Sequence, residues 1–420
     1  MRSAGTNGRT KGVLDISGIG AGFGSTKLAA AATRCAVTLA VLSALLLIAG
    51  RPAPAQTETV LHNFTGGSDG ANPGFSLISD HAGNLYGTTS YGGTFGAGTV
   101  FELSPNGGGG WNETVLYSFT GGADGANPYG PVLFDSVGKL YGTTANGGAA
   151  GGGTVFKLTP SGTGWTEAVL YSFSCQFSCN GGVLPVNRLI MDPAGNLYGT
   201  TNPGYVGVVF ELSPSGGGWT EQEIFPDGAT TGLTMDAAGN IFFGRYQLIY
   251  ELSPNGSGGW NSILVYNFSN LDHVYQWWTK GTPVLDQAGN LYGTTFFGGT
   301  RDSGSVYKLS HGKTRWTAKI LYSFKNGQDG GYPVAGVVLD AAGNIYGATS
   351  GGGKYNGGTV FELVPPVGVG SYQEKVLWNF NYKDGYVPSD SLILDSAGNF
   401  YGTTPYGGPI GYGVAFELTP

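Results

Sequence analysis

From residue 58 onward, short apolar runs alternate with glycine-rich gaps in an order that recurs along the chain. The stretch from Pro131 shows one unit. Pro131-Val132-Leu133-Phe134 is an apolar run closed by Asp135, and Ser136-Val137-Gly138 reads as a turn. Leu140-Tyr141-Gly142-Thr143-Thr144 forms a second strand, and a glycine-rich loop runs from Asn146 to Gly153. Thr154-Val155-Phe156-Lys157-Leu158 alternates as a half-buried third strand does. Pro160 to Gly164 turn the chain, and Trp165 opens a fourth strand through Ala168-Val169-Leu170-Tyr171.

The turn after the first strand fixes the phase. Copies of Asp-x-x-Gly begin at Asp80, Asp135, Asp192, Asp236, Asp286, Asp340 and Asp395, successively 55, 57, 44, 50, 54 and 55 residues apart. Four short antiparallel strands repeated at that period predict an all-β, seven-bladed propeller, whose closure removes exposed sheet edges. In each turn the Asp side chain accepts from backbone N–H groups and Gly takes the left-handed position. Seven calcium loops would need more oxygen ligands than each turn supplies. The last repeat stops at Ala415-Phe416-Glu417-Leu418, a third strand, while Glu58-Thr59-Val60-Leu61-His62-Asn63-Phe64 matches the fourth-strand pattern of Glu113 to Phe119. The N-terminal strand is therefore predicted to complete the seventh blade.

Composition adds a second segment. Six of the 20 basic side chains, but only one of the 27 acidic ones, lie in residues 1–55. An apolar run from Ala36 to Ala49 and Ala53-Pro54-Ala55 follow, the layout of a secretory signal with a long N-terminal extension, cut before Gln56. A run of 14 residues is short for a bilayer, which weighs against the alternative of a retained anchor, and Cys35 precedes the run. Residues 56–420 then form one propeller domain, secreted or extracytoplasmic, without a membrane span and expected to be a monomer. That part keeps 14 basic and 26 acidic side chains, net −12, which excludes a basic stripe for nucleic acid or anionic lipid. Export favours a local disulfide between Cys175 and Cys179. The 78 Gly and 21 Pro approach a disordered composition, but they fall at fixed places in each repeat and so read as turns.

The strings Tyr86-Gly87-Thr88-Thr89, Gly92-Gly93 and Gly98-Thr99-Val100-Phe101-Glu102-Leu103, with their echoes over 58–420, resemble the GloVer tandem repeat. That family occurs in exported bacterial proteins with varied C-terminal anchors. The resemblance implies a secreted or surface protein and carries over no catalytic residue. With Pro420 as the last residue, the sorting segment of anchored relatives is not expected in this chain. Asp-x-x-Gly-Asn-Leu-Tyr is also similar to NHL-type propeller blades.

Candidate chemistry is sparse. The first strands should line the central channel, and at their channel-facing positions the residues are apolar or small apart from Arg188, with Asp390 near the mouth. One carboxylate does not make a metal centre, so neither metal nor cofactor is expected. His62, His81, His273 and His311 sit in no nucleophile motif, and no catalytic residue is assigned. The irregular sector is more informative. Blade 4 is short and lacks the Gly-Gly loop, reading Gly244-Arg245-Tyr246-Gln247 instead. The next incoming loop holds Asp272, His273, Trp277, Trp278 and Lys280 in place of Gly-Gly-x-Asp-Gly. Aromatic faces beside hydrogen-bonding groups suit a sugar. Arg188, Arg245, Tyr246, Asp272, His273, Trp277, Trp278 and Lys280 are thus the candidate ligand site, for a polysaccharide or cell-surface glycan held by a binding or scaffold module. Tyr91, Phe95, Phe296, Phe297, Tyr355 and Tyr406 extend the rim. The other readings are a glycan lyase or hydrolase using Asp272, His273 and Arg245, a surface protein with no small ligand, and a tryptophan pair that only plugs the short blade. Trp111, Trp165, Trp219, Trp260 and Trp316 open the fourth strands and are read as packing between blades.

Overall fold

Seven four-stranded antiparallel sheets follow one another along the chain. The computed structural model describes residues 56–174, 184–201, 207–271, 277–313 and 315–419. Cys175, Cys179, Asp272, His273 and the leader in 1–55 lie outside the described residues. Within each blade the strands are called a to d from the channel outward. In blade 1 they are Ile78–Ser79, Leu85–Thr89, Thr99–Pro105 and Trp111–Ser118. The inner strand is shorter than its apolar run predicts: Leu133–Phe134 pair in blade 2, while Pro131 and Val132 run unpaired before them.

Blade 7 has Ile393–Leu394, Phe400–Thr404 and Val414–Thr419 as strands a to c, and Thr57–Asn63 is its strand d. Val60 pairs with Phe416 and Thr57 with Thr419, so the ring closes by strand pairing as the repeat phase predicts. Backbone groups that would be an open edge on Val414–Thr419 are satisfied within the molecule.

The strand-b sequence Leu-Tyr-Gly-Thr-Thr is buried throughout in blade 1. Its glycine has a steric cause. A Cβ on Gly87 would lie 2.5 Å from Cζ of Phe101, because the tip of the strand-c phenylalanine ring occupies that spot. Blade 4 inverts the arrangement. Phe243 replaces the glycine, and strand c carries Tyr250, whose ring stacks on Phe243 at 5.8 Å and 20°. The strand-d tryptophans stand on the strand-b aromatics of the preceding blade: Trp111 on Tyr401, Trp260 on Tyr198 and Trp316 on Phe242, with ring centroids 6.1, 5.7 and 6.1 Å apart. They are packing residues, as their repetition suggests.

Each turn Asp accepts three or four hydrogen bonds from its own repeat. Asp80 Oδ1 accepts the N–H groups of Ala82 and Asn84, and Oδ2 accepts Asn84 Nδ2 and Tyr86 Oη, all within 2.8–3.1 Å. Burial alone would raise this carboxyl, but the bonds from Asn84, Ala82 and Tyr86 outweigh it and hold it below the usual carboxylate range. The turn is a structural clip, with its acceptor sites filled from inside the repeat.

Candidate functional site

The loops entering strand a and those joining b to c share one face and are clipped together by isolated bridges, Ala71 to Tyr91 in blade 1 and Tyr386 to Tyr406 in blade 7. These clips raise Tyr91 and Tyr406 to the surface, where they are 46% and 49% exposed. Phe95, Trp278, Tyr355, Tyr382 and Tyr412, the other exposed aromatics among the described residues, lie on the same class of loops.

The short blade 4 shapes this face. Tyr246 and Gln247 make a two-residue turn between strands b and c, with Tyr246 at a φ of 52°. The space left by the missing loop is filled from the next connection. Phe268 donates its N–H to Gln247 O at 2.9 Å and stacks on Trp277 at 5.7 Å. Trp277 is 1% exposed and lies against Gly298, where a Cβ would come within 2.6 Å of the indole. This corrects part of the sequence reading. Trp277 is the plug of the short blade, and its ring is closed to any ligand.

Trp278 points the other way and is 42% exposed. It is held in place because its carbonyl accepts from Phe296 N at 2.6 Å, while the next residue, Thr279, donates to Tyr246 O at 2.8 Å. An aromatic band results across blades 4, 5 and 6. Tyr246 and Trp278 are 6.0 Å apart, Trp278 and Phe297 6.0 Å, Phe297 and Phe296 4.6 Å, and Phe296 and Tyr332 5.3 Å. Arg245 closes one end over the Tyr246 ring at 5.5 Å. Its guanidinium is occupied by Asp227, with Nε on the carbonyl at 3.1 Å and Nη2 3.4 Å from Oδ1.

On the same loop face lies the mouth of the channel, a cavity of about 390 Å³ lined by Tyr91, Tyr129, Tyr406 and Lys280 among others and by no residue of the band. There Tyr91 and Tyr129 join hydroxyls at 2.8 Å, and Phe75 packs on Tyr129 at 6.0 Å. Burial, then the bond with Tyr91, pushes the Tyr129 phenol up to about 12, so it stays protonated. Lys280 and Asp390 also line the mouth. Below it, a cavity of about 490 Å³ is walled by inner-strand residues from every blade and holds Arg188. The two cavities share Phe75, Asn187, Thr282 and Asp390 and so form one funnel.

Of the candidate residues described, Lys280 lines the mouth, Arg188 lies beneath it, and Tyr246 and Trp278 stand in the aromatic band of the loop face. Arg245 is tied down at the edge and Trp277 is interior. Sequence reading missed Phe75, Tyr129 and Tyr332. Each lies within two residues of the proline in the loop entering an inner strand, at Pro73, Pro128 and Pro333, and that adjacency is the signal that would have found them.

A seven-bladed propeller built from one repeating unit, with its irregularities gathered on one face, defines the class of protein. The chain belongs to the Gloeobacter/Verrucomicrobia repeat family, which matches residues 51–247 and 222–420. No curated protein matches it. The chain is similar in structure to a protein from Lactobacillus plantarum, with 14% identity and a TM-score of 0.52 over 76% of this chain and 86% of that one. An aldose sugar dehydrogenase from Streptomyces coelicolor gives 11% identity and a TM-score of 0.44 over 88% and 100% of the two chains. A gluconolactonase from Xanthomonas campestris gives 15% and 0.40 over 86% and 89%. At these distances the likeness is one of fold.

Proposed function

We propose that the protein is an exported binding module that holds a polysaccharide across the loop face. The observation that carries this reading is the aromatic band from Tyr246 to Tyr332 on the loop face, together with the Tyr91–Tyr129 pair that lines the channel mouth. Sugar C–H faces stack on such rings, and the phenol hydroxyls and Lys280 offer hydrogen bonds at the channel mouth. The leader-like segment 1–55 supports export.

The test is retention of the purified protein on a panel of soluble and insoluble polysaccharides, with Trp278→Ala and Tyr91→Ala alongside. Each substitution should weaken retention about fivefold or more, the order expected for losing one aromatic contact. Release of new reducing ends during the same incubation would mark an enzyme instead. Retention unchanged in both variants would sink the reading.

A further inference from the structure

Arg188 projects from the inner strand of blade 3 into a channel that is otherwise lined mostly by aliphatic and small side chains. Its guanidinium has no hydrogen-bond or ion-pair partner among the described residues. It is accessible to channel water and yet surrounded by channel wall. Five N–H donors are thus held in a confined space with nothing bonded to them. Among the described residues nothing ties the guanidinium to the wall, so its donors face the channel water and are free for a ligand.

The nearest opposite charge does not supply one. Asp390 comes from blade 7, across the ring, and its oxygens are already engaged. Ser76 N donates to Oδ2 at 2.9 Å and Ser391 N to Oδ1 at 2.7 Å, a clasp between blades 7 and 1. The two charges influence each other without contact: burial lowers the Arg188 pKa while Asp390 opposes the shift. Lys280 stands higher, at the mouth. The funnel therefore carries two cations and one carboxylate, in a chain whose residues 56–420 hold 26 acids against 14 bases.

We propose that the funnel takes an acidic glycan end-on, with the carboxylate of a uronic acid unit paired to the Arg188 guanidinium and neighbouring units stacked on the aromatic band. The inference rests on the polysaccharide reading above and adds the chemical class of the ligand. A carboxylate matches the planar fork of the guanidinium bidentately, which a hydroxyl cannot do. Lys280 steers the anionic chain toward the mouth and contributes less, because it is solvated.

The experiment compares oligogalacturonate, oligomannuronate and oligoglucuronate with their methyl esters, which keep the sugar and remove the charge. Affinities are measured by calorimetry on the purified protein. At least one uronate should bind about tenfold or more tightly than its ester, the scale of one enclosed charge-assisted pair. Arg188→Gln should erase that ratio and Arg188→Lys should keep part of it. Trp278→Ala should weaken acid and ester alike. Esters bound as tightly as acids by the wild type, or an acid preference that survives Arg188→Gln, overturns the inference and leaves the polysaccharide reading standing. Binding of neutral glycans alone has the same meaning, and no glycan binding at all removes both. The wild-type acid-to-ester ratio needs no variant and stands even if Arg188→Gln fails to fold.

Discussion

Four glutamates in the outer strands, Glu58, Glu113, Glu167 and Glu374, each have an Oε1 buried without a hydrogen-bond partner among the described residues. Each is pushed up to about 7, by burial first and then by an aspartate of the incoming loop: Asp384, Asp69, Asp124 and Asp329 respectively. The aspartate is the better-held partner. Asp69 accepts Thr65 N at 2.9 Å and lies 3.2 Å from His62 Nε2, so the proton of the pair resides on Glu113. A folded-state value above the unfolded one means that the folded protein binds more protons. Stability from this group is full below pH 4.5 and declines as pH rises through about 7. A rise from 4.5 to about 7 corresponds to about 3 kcal/mol for a fully enclosed group. Glu113 keeps partial contact with water, and screening reduces this to roughly 1 kcal/mol.

Glu113→Gln removes the ionisation and keeps the shape. Urea unfolding of wild type and variant at pH 4.5 and pH 8 gives the comparison, in which any constant offset between amide and protonated acid cancels. The variant should gain about 1 kcal/mol on the wild type between those two pH values, with the change centred near pH 6. A gap equal at both, or a wild type that gains as pH rises, would refute the argument that Glu113 carries the proton.

Two further outcomes test the frame. Val387 has a φ of 60°, in the left-handed region that a β-branched residue avoids, while the corresponding positions in blades 1 and 2 hold Asn72 and Asn127. Asn127 also donates to Ser90 O at 2.9 Å, so Val387→Asn should relieve strain, add a bond and raise stability by about 1 kcal/mol in urea melts. Deleting residues 57–63 leaves Val414–Thr419 as an open edge, and gel filtration should show self-association that a peptide spanning Thr57 to Phe64 reverses. A deleted chain that stays monomeric and equally stable would mean that the N-terminal strand does not close the ring.

How far the sequence reached follows from what repetition encodes. Strand order, the Asp clip and the inter-blade tryptophans recur from repeat to repeat, and their number and phase give the blade count and the closing strand. Each depends on contacts within a repeat or with the next one, so a single chain states them several times over. The site was only partly legible, because it is made where the repeat breaks. Composition marked Trp277 and Trp278 equally. Only the packing of the short blade sent one into the gap beside Phe268 and left the other on the surface. Arg188 and Asp390 are 202 residues apart and belong to opposite blades, so their sharing one channel is set by ring closure. The order of elements was written locally in the chain, whereas the funnel, its aromatic border and its unpaired cation exist only once seven blades meet at one axis.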